Sequence, residues 1–66
     1  MQFDTIDSAT DAQGVCTVWL NRPEKHNALS EQMIDELTEM AVILRQGSAR
    51  VVILAARGKS FCAGGD

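Results

Sequence analysis

Apolar positions along this chain form two short continuous runs with one spaced series between them. Val15-Cys16-Thr17-Val18-Trp19-Leu20 and Val51-Val52-Ile53-Leu54-Ala55-Ala56 are rich in β-branched residues and have the length of strands. In the intervening stretch, Met33, Leu37, Met40, Ala41 and Leu44 recur at three- and four-residue steps, while Asp35, Glu36 and Glu39 occupy other faces. That period predicts a helix running from Ser30 to about Gln46. Ser30 is a good N-cap and Glu31 suits the first turn. Arg45 suits the last turn, and Gly47 is placed to stop the helix in a left-handed conformation. A further short strand is expected at residues 3–6. The polar stretch Asp7 to Gly14 then reads as a loop longer than a tight turn, closing a hairpin or meander.

Pro23 ends the strand at 15–20, because it biases Arg22 toward an extended conformation and has no N–H for a ladder. The predicted order is β-β-α-β, an α/β arrangement whose helix joins two strands through a right-handed crossover. The run at 51–56 is apolar at every position, the pattern of a strand buried on both faces. One helix covers one face only. A second cover is therefore expected from outside these residues, either from the rest of a larger fold or from another chain. After this strand, Arg57 and Gly58 open a loop that continues as Lys59-Ser60-Phe61-Cys62-Ala63-Gly64-Gly65-Asp66. Adjacent glycines let a ligand approach the backbone, and loops past the carboxyl ends of strands are where α/β proteins bind ligands.

Composition narrows the function classes. With 66 residues the chain is at most one small domain. Its net charge of −3 and singly scattered basic residues give no footprint for nucleic acid. No apolar run approaches the ~20 residues of a membrane span, and the first residues lack the features of a signal peptide. Cys16 and Cys62 are far apart and outside any CxxC pattern, so they read as free thiols in a reducing, cytoplasmic setting. Hydrophobic residues make up 45% of the chain, too many for a disordered tail.

Several residue patterns invite a chemical reading and give way to a plainer one. Gly58-Lys59-Ser60 matches the end of a phosphate-binding P-loop, but the position five residues before Gly58 is Ile53, and no helix pattern opens after Ser60. His26 stands alone in a polar connection, which favours a surface histidine over a metal ligand or acid/base group, and no metal site is expected. Cys62 is favoured as a loop-packing residue over a nucleophile, since no histidine accompanies it in sequence. Met33, Met40 and Met1 read as core or terminus, Trp19 as packing, and the helix carboxylates as a solvated face. Gly64-Gly65-Asp66 by itself is a generic turn.

Taken together, two motifs change that last reading. Leu20-Asn21-Arg22-Pro23 with Asn27-Ala28-Leu29-Ser30, followed by Arg50-Val51-Val52-Ile53-Leu54 and Ser60-Phe61-Cys62-Ala63-Gly64-Gly65-Asp66, resembles the crotonase superfamily, the enoyl-CoA hydratase/isomerase family, over essentially the whole chain. The resemblance implies a spiral of β-β-α units, of which residues 1–66 are the N-terminal part of a single domain whose C-terminal part is absent, and assembly as a homotrimer or hexamer. It implies an acyl-CoA thioester substrate whose carbonyl oxygen lies between two backbone N–H donors, the first being Gly65. Glu24, Lys25 and Ala28 would border the adenine and pantetheine, and Ala63 and Gly64 the thioester arm. Lys25 and Arg22 would offer charge to phosphates, and Asp66 would fix the turn. No cofactor is implied beyond the coenzyme A of the substrate. Hydration of a 2-enoyl-CoA is the leading reaction. Isomerisation, thioester hydrolysis, decarboxylation, dehalogenation and a non-catalytic segment needing a partner chain are the alternatives, because the second donor and the acid/base residues normally lie past the position of Asp66.

Overall fold

The computed structural model describes residues 3–65; Met1 and Asp66, assigned above to the terminus and the glycine turn, lie outside them. Three strands form one sheet in the order β1 (Ile6–Thr10), β2 (Val15–Leu20), β3 (Val51–Ala56). β1 pairs antiparallel with β2, from Ile6 opposite Leu20 to Thr10 opposite Cys16. β2 pairs parallel with β3, from Val15 opposite Val51 to Leu20 opposite Ala56. The helix α1 (Glu31–Gln46) makes the connection between these parallel strands, which need a long crossover where antiparallel neighbours need only a turn.

The first strand lies later than the pattern predicts: it begins at Ile6, where the expected strand ends. Only Ile6 in it is buried, so hydrophobic alternation gave no signal for Ser8 to Thr10. These residues are in the strand because an edge position asks only for backbone pairing to β2, and polar side chains can face water. The turn is correspondingly tighter. The Asp11 carboxylate accepts from the N–H groups of Gln13 (2.8 Å) and Val15 (3.0 Å), and Gly14 completes the turn at φ +88°. An aspartate bonding to backbone a few residues ahead is a common way to close such a loop.

The helix begins as expected. Ser30 Oγ accepts from the Met33 N–H at 3.1 Å, satisfying one of the free donors of the first turn. Met33, fully buried, and Met40 pack with Ile6, Cys16, Val18 and Leu20, and Leu37, Ile43 and Leu44 lie at the margin. Ala41 faces solvent instead. Gly47 does not adopt the left-handed conformation: at φ −92°, ψ −168° it is extended and directs the chain straight toward β3. The role left for a glycine there is close approach, since a Cβ would lie 3.2 Å from the Ile43 carbonyl oxygen.

The third strand departs in part from expectation: one face was expected to find its cover outside these residues, but the other was expected beneath α1. Val51, Val52, Ile53 and Leu54 are each about half exposed, not buried. Their pairing to β2 is complete, but α1 packs over Ile6 and β2, and of β3 only the half-buried Ala56 is packed against the core.

Two local contacts fasten the periphery. Glu36 on α1 accepts from the N–H groups of Thr5 (2.9 Å) and Asp4 (3.3 Å), the Thr5 hydroxyl (2.8 Å) and Gln32 (3.0 Å). Burial pushes the pKa of Glu36 upward, but these donors outweigh it and hold the carboxyl below its ordinary value. Past β3, Gly58 at φ +85° passes so close to Pro23 that an added Cβ would lie 2.7 Å from the proline Cβ.

Two outcomes follow. A group whose folded pKa is depressed stabilises the fold fully above its unfolded pKa, and that contribution is lost as pH falls through the folded value. Glu36→Gln should therefore lower the denaturation midpoint at neutral pH, and its deficit relative to the parent should close as pH drops below ~4. A deficit independent of pH would contradict this account. Gly58→Ala should cost about 1–3 kcal/mol in denaturant unfolding through its positive φ, with the clash against Pro23 added.

Candidate functional site

Two loops leave the carboxyl ends of β2 and β3, which are adjacent and parallel, so both loops start from the same edge of the sheet. The first, residues 21–30, turns sharply. Pro23–Lys25 form a single 3-10 turn, and His26 (φ +52°) and Asn27 (φ +57°) then take left-handed conformations in succession. Such a conformation costs most residues about 1–2 kcal/mol, less for asparagine, whose short amide can bond to nearby backbone. Here the amide does so. Its Oδ1 accepts from the Arg22 N–H at 2.7 Å, and its Nδ2 donates to the carbonyls of Arg57 and Ser60, each at 2.7 Å. Only this orientation of the amide fits one donor and two acceptors. Asn27 is completely buried.

Further contacts join the loops on either side of this amide. His26 Nδ1 lies 3.0 Å from Ser60 Oγ, and the Leu29 N–H donates to the Gly64 carbonyl at 2.7 Å, within an isolated parallel bridge between Leu29 and Gly65. Arg22 Nη1 donates to the Ala28 carbonyl at 2.6 Å, crossing the first loop from inside. Beyond the second loop's first residue, the guanidinium of Arg57 lies 4.1 Å above the centre of the Trp19 ring and 3.2 Å from the Asp7 carboxylate. Trp19 therefore packs, as its place on β2 suggested, and Arg57 serves as its cover.

The residues singled out in the sequence fall on these two loops. Glu24 and Lys25 are exposed on the 3-10 turn. Ala28 is buried, so it faces any ligand at most through its backbone, whose carbonyl is already bonded to Arg22. Ala63, Gly64 and Gly65 are exposed. Gly64 has φ +99°, and a Cβ on Gly64 or Gly65 would meet nothing within 4 Å. No hydrogen bond among the described residues engages the Gly65 N–H. Gly65 is thus exposed, with its N–H unused among the described residues, in a segment held through its neighbour's carbonyl.

Cys62 packs partly against the core, and its Sγ accepts from the Gly64 N–H at 3.4 Å, the behaviour of a loop-packing thiol. After Ser60 the described chain forms no helix, so the P-loop-like triplet has no phosphate cradle behind it. Asn27 stands in the motif Asn27-Ala28-Leu29-Ser30 quoted above, but the sequence did not disclose its bonding role. An asparagine in a polar connection carries no periodic signal; the clue to that role was its tolerance of positive φ directly after a proline-led turn.

Known proteins resemble this chain in sequence and fold. The family model described as Enoyl-CoA hydratase/isomerase matches residues 10–66. A protein of Mycobacterium bovis named "Probable enoyl-CoA hydratase echA6" is 46% identical over 57 residues, covering 86% of this chain and 24% of its own length. The "3-hydroxyisobutyryl-CoA hydrolase 1" of Arabidopsis thaliana is also 46% identical, over 48 residues, covering 71% of this chain and 13% of that protein. The crystal structure of an enoyl-CoA hydratase from Mycobacterium smegmatis superposes with a TM-score of 0.92 at 47% identity, covering 96% of this chain and 25% of that one. The chain spans about a quarter of the length of the leading curated relatives it matches. With its β-β-α-β order, its paired loops and a match across most of its length, this chain belongs to the enoyl-CoA hydratase/isomerase family, and its fold is a portion of the crotonase fold.

Proposed function

We propose that this segment supplies the first half of an oxyanion hole in an enzyme acting on acyl-CoA thioesters, with the Gly65 N–H as donor. The observation that carries the reading is that Gly65 is exposed and its N–H unpaired among the described residues, while the Leu29–Gly64 hydrogen bond fastens the residue before it. A preorganised N–H aimed at a thioester oxygen stabilises the negative charge that builds there as an enolate forms, without the reorganisation that water would need. Glu24, Lys25, the Ala28 backbone, Ala63, Gly64 and Asp66 border the coenzyme A portion in this reading, with Lys25 toward the phosphates. Coenzyme A is part of the substrate, and no separate cofactor is called for.

Hydration of a 2-enoyl-CoA is the reaction we favour, on the naming of the mycobacterial relative. The name of the Arabidopsis relative supports a second reading, thioester hydrolysis, built on the same segment. The reading adds a second N–H donor and acid/base carboxylates past position 66, and a cytoplasmic homotrimer or hexamer as the working assembly of the whole protein. No helix among the described residues is long and apolar enough to cross a membrane.

In the full-length protein, Gly65→Pro deletes the donor and should lower turnover of a 2-enoyl-CoA roughly 10²–10³-fold while changing coenzyme A affinity far less. Gly65→Ala keeps the N–H and should lose much less activity. Equal turnover in a folded proline variant would sink the oxyanion assignment. Lys25→Glu should raise KM with little change in kcat, the pattern of a contact made equally in ground and transition states, and the effect should shrink as salt is added.

A further inference from the structure

We infer that Asn27 is the positioning residue for the Gly65 donor, acting through the backbone of the second loop; the inference rests on the oxyanion reading of Gly65. The second loop has little packing to hold it. Phe61 is 54% exposed, Ala63, Gly64 and Gly65 are exposed, and only Cys62 reaches the core margin. Hydrogen bonds to the first loop do the holding. Asn27 Nδ2 takes the carbonyls of Arg57 and Ser60, and two residues further along the first loop, Leu29 takes the Gly64 carbonyl. The segment 60–64 is therefore fixed at both ends to residues 27 and 29. Gly65 leaves its far end.

The first loop is in turn fixed by the same amide, through Oδ1 to the Arg22 N–H at the end of β2. Apart from Asn27, the ties between the loops among the described residues include the exposed His26–Ser60 contact and the Leu29–Gly64 bond, with the Pro23–Gly58 approach beside them. The carbonyls of Arg57 and Ser60, whose bonds to the amide are partly buried, would also lose their shared donor, and a polar group left unmet away from water drives local rearrangement. A donor moved by about 1 Å from its productive position can cost on the order of 10²-fold in rate.

The test uses the full-length protein, with a short 2-enoyl-CoA as probe, and two variants. Asn27→Gly removes the amide while accepting φ +57° without strain. Asn27→Asp keeps the acceptor for Arg22 but turns an oxygen toward the Arg57 and Ser60 carbonyls. Both should lower kcat by about 10- to 100-fold with KM changed only a few-fold, and Asn27→Asp should be no better than Asn27→Gly. Amide exchange should quicken at Leu29 and not in the β1–β2 ladder. Folded variants that lose thermal stability but keep kcat would overturn the inference, provided Gly65→Pro still abolishes turnover. If Gly65→Pro also spares turnover, the oxyanion reading beneath it fails instead. Should neither variant fold, exchange in the parent decides: a Leu29 N–H as protected as the β2–β3 ladder supports two-point fixation, and rapid exchange refutes it.

Discussion

One buried amide ties together the two loops that carry the candidate site. The sheet brings the carboxyl ends of β2 and β3 side by side, but adjacency alone leaves two exposed loops free to part. Asn27, itself fully buried, ties them together by meeting one N–H of the first loop and two carbonyls of the second. A buried polar group is favourable only when all of its partners are present. This one is fully satisfied, and no buried side-chain nitrogen or oxygen among the described residues lacks a partner. Two successive left-handed residues are the conformational cost of aiming it.

The apolar part of the fold is organised differently. Met33 and Met40 reach down onto Ile6, Cys16, Val18 and Leu20, so the core lies between the helix and the central strand. β3 hangs on that core by its hydrogen-bond ladder rather than by burial, with a row of valine, isoleucine and leucine side chains half in water. The loop that follows β3 inherits its position from the ladder and its orientation from Asn27. Glu36 does a similar service at the opposite end of the sequence, holding Asp4 and Thr5 against α1.

Much of this was readable from residue order. β2, α1 and β3 carry strong apolar signals, and their limits match the pattern; the Ser30 cap and the glycine loop after β3 stand where residue type required them. The misreadings have physical causes. β1 is an edge strand held by backbone bonds, so Ser8 to Thr10 show no alternation to detect. Gly47 is a glycine for reasons of space near the Ile43 carbonyl, whereas its composition suggested a left-handed turn. Hydrophobicity reports that Val51 to Leu54 favour burial, not that a cover is present. The residues of the glycine loop were visible in the sequence, but the tie that holds them was not, because its bonds run from residue 27 to residues 57 and 60 and leave no local pattern.

The partners of Asn27 are all main-chain atoms, which every amino acid supplies. The side chains at positions 22, 57 and 60 are therefore free of this duty, and substitution there leaves the amide's bonding intact so long as the backbone path is kept. The frame of the site and its surface are in this sense separately variable. Such a loop pair can exchange the groups it shows at its surface while its underlying geometry persists.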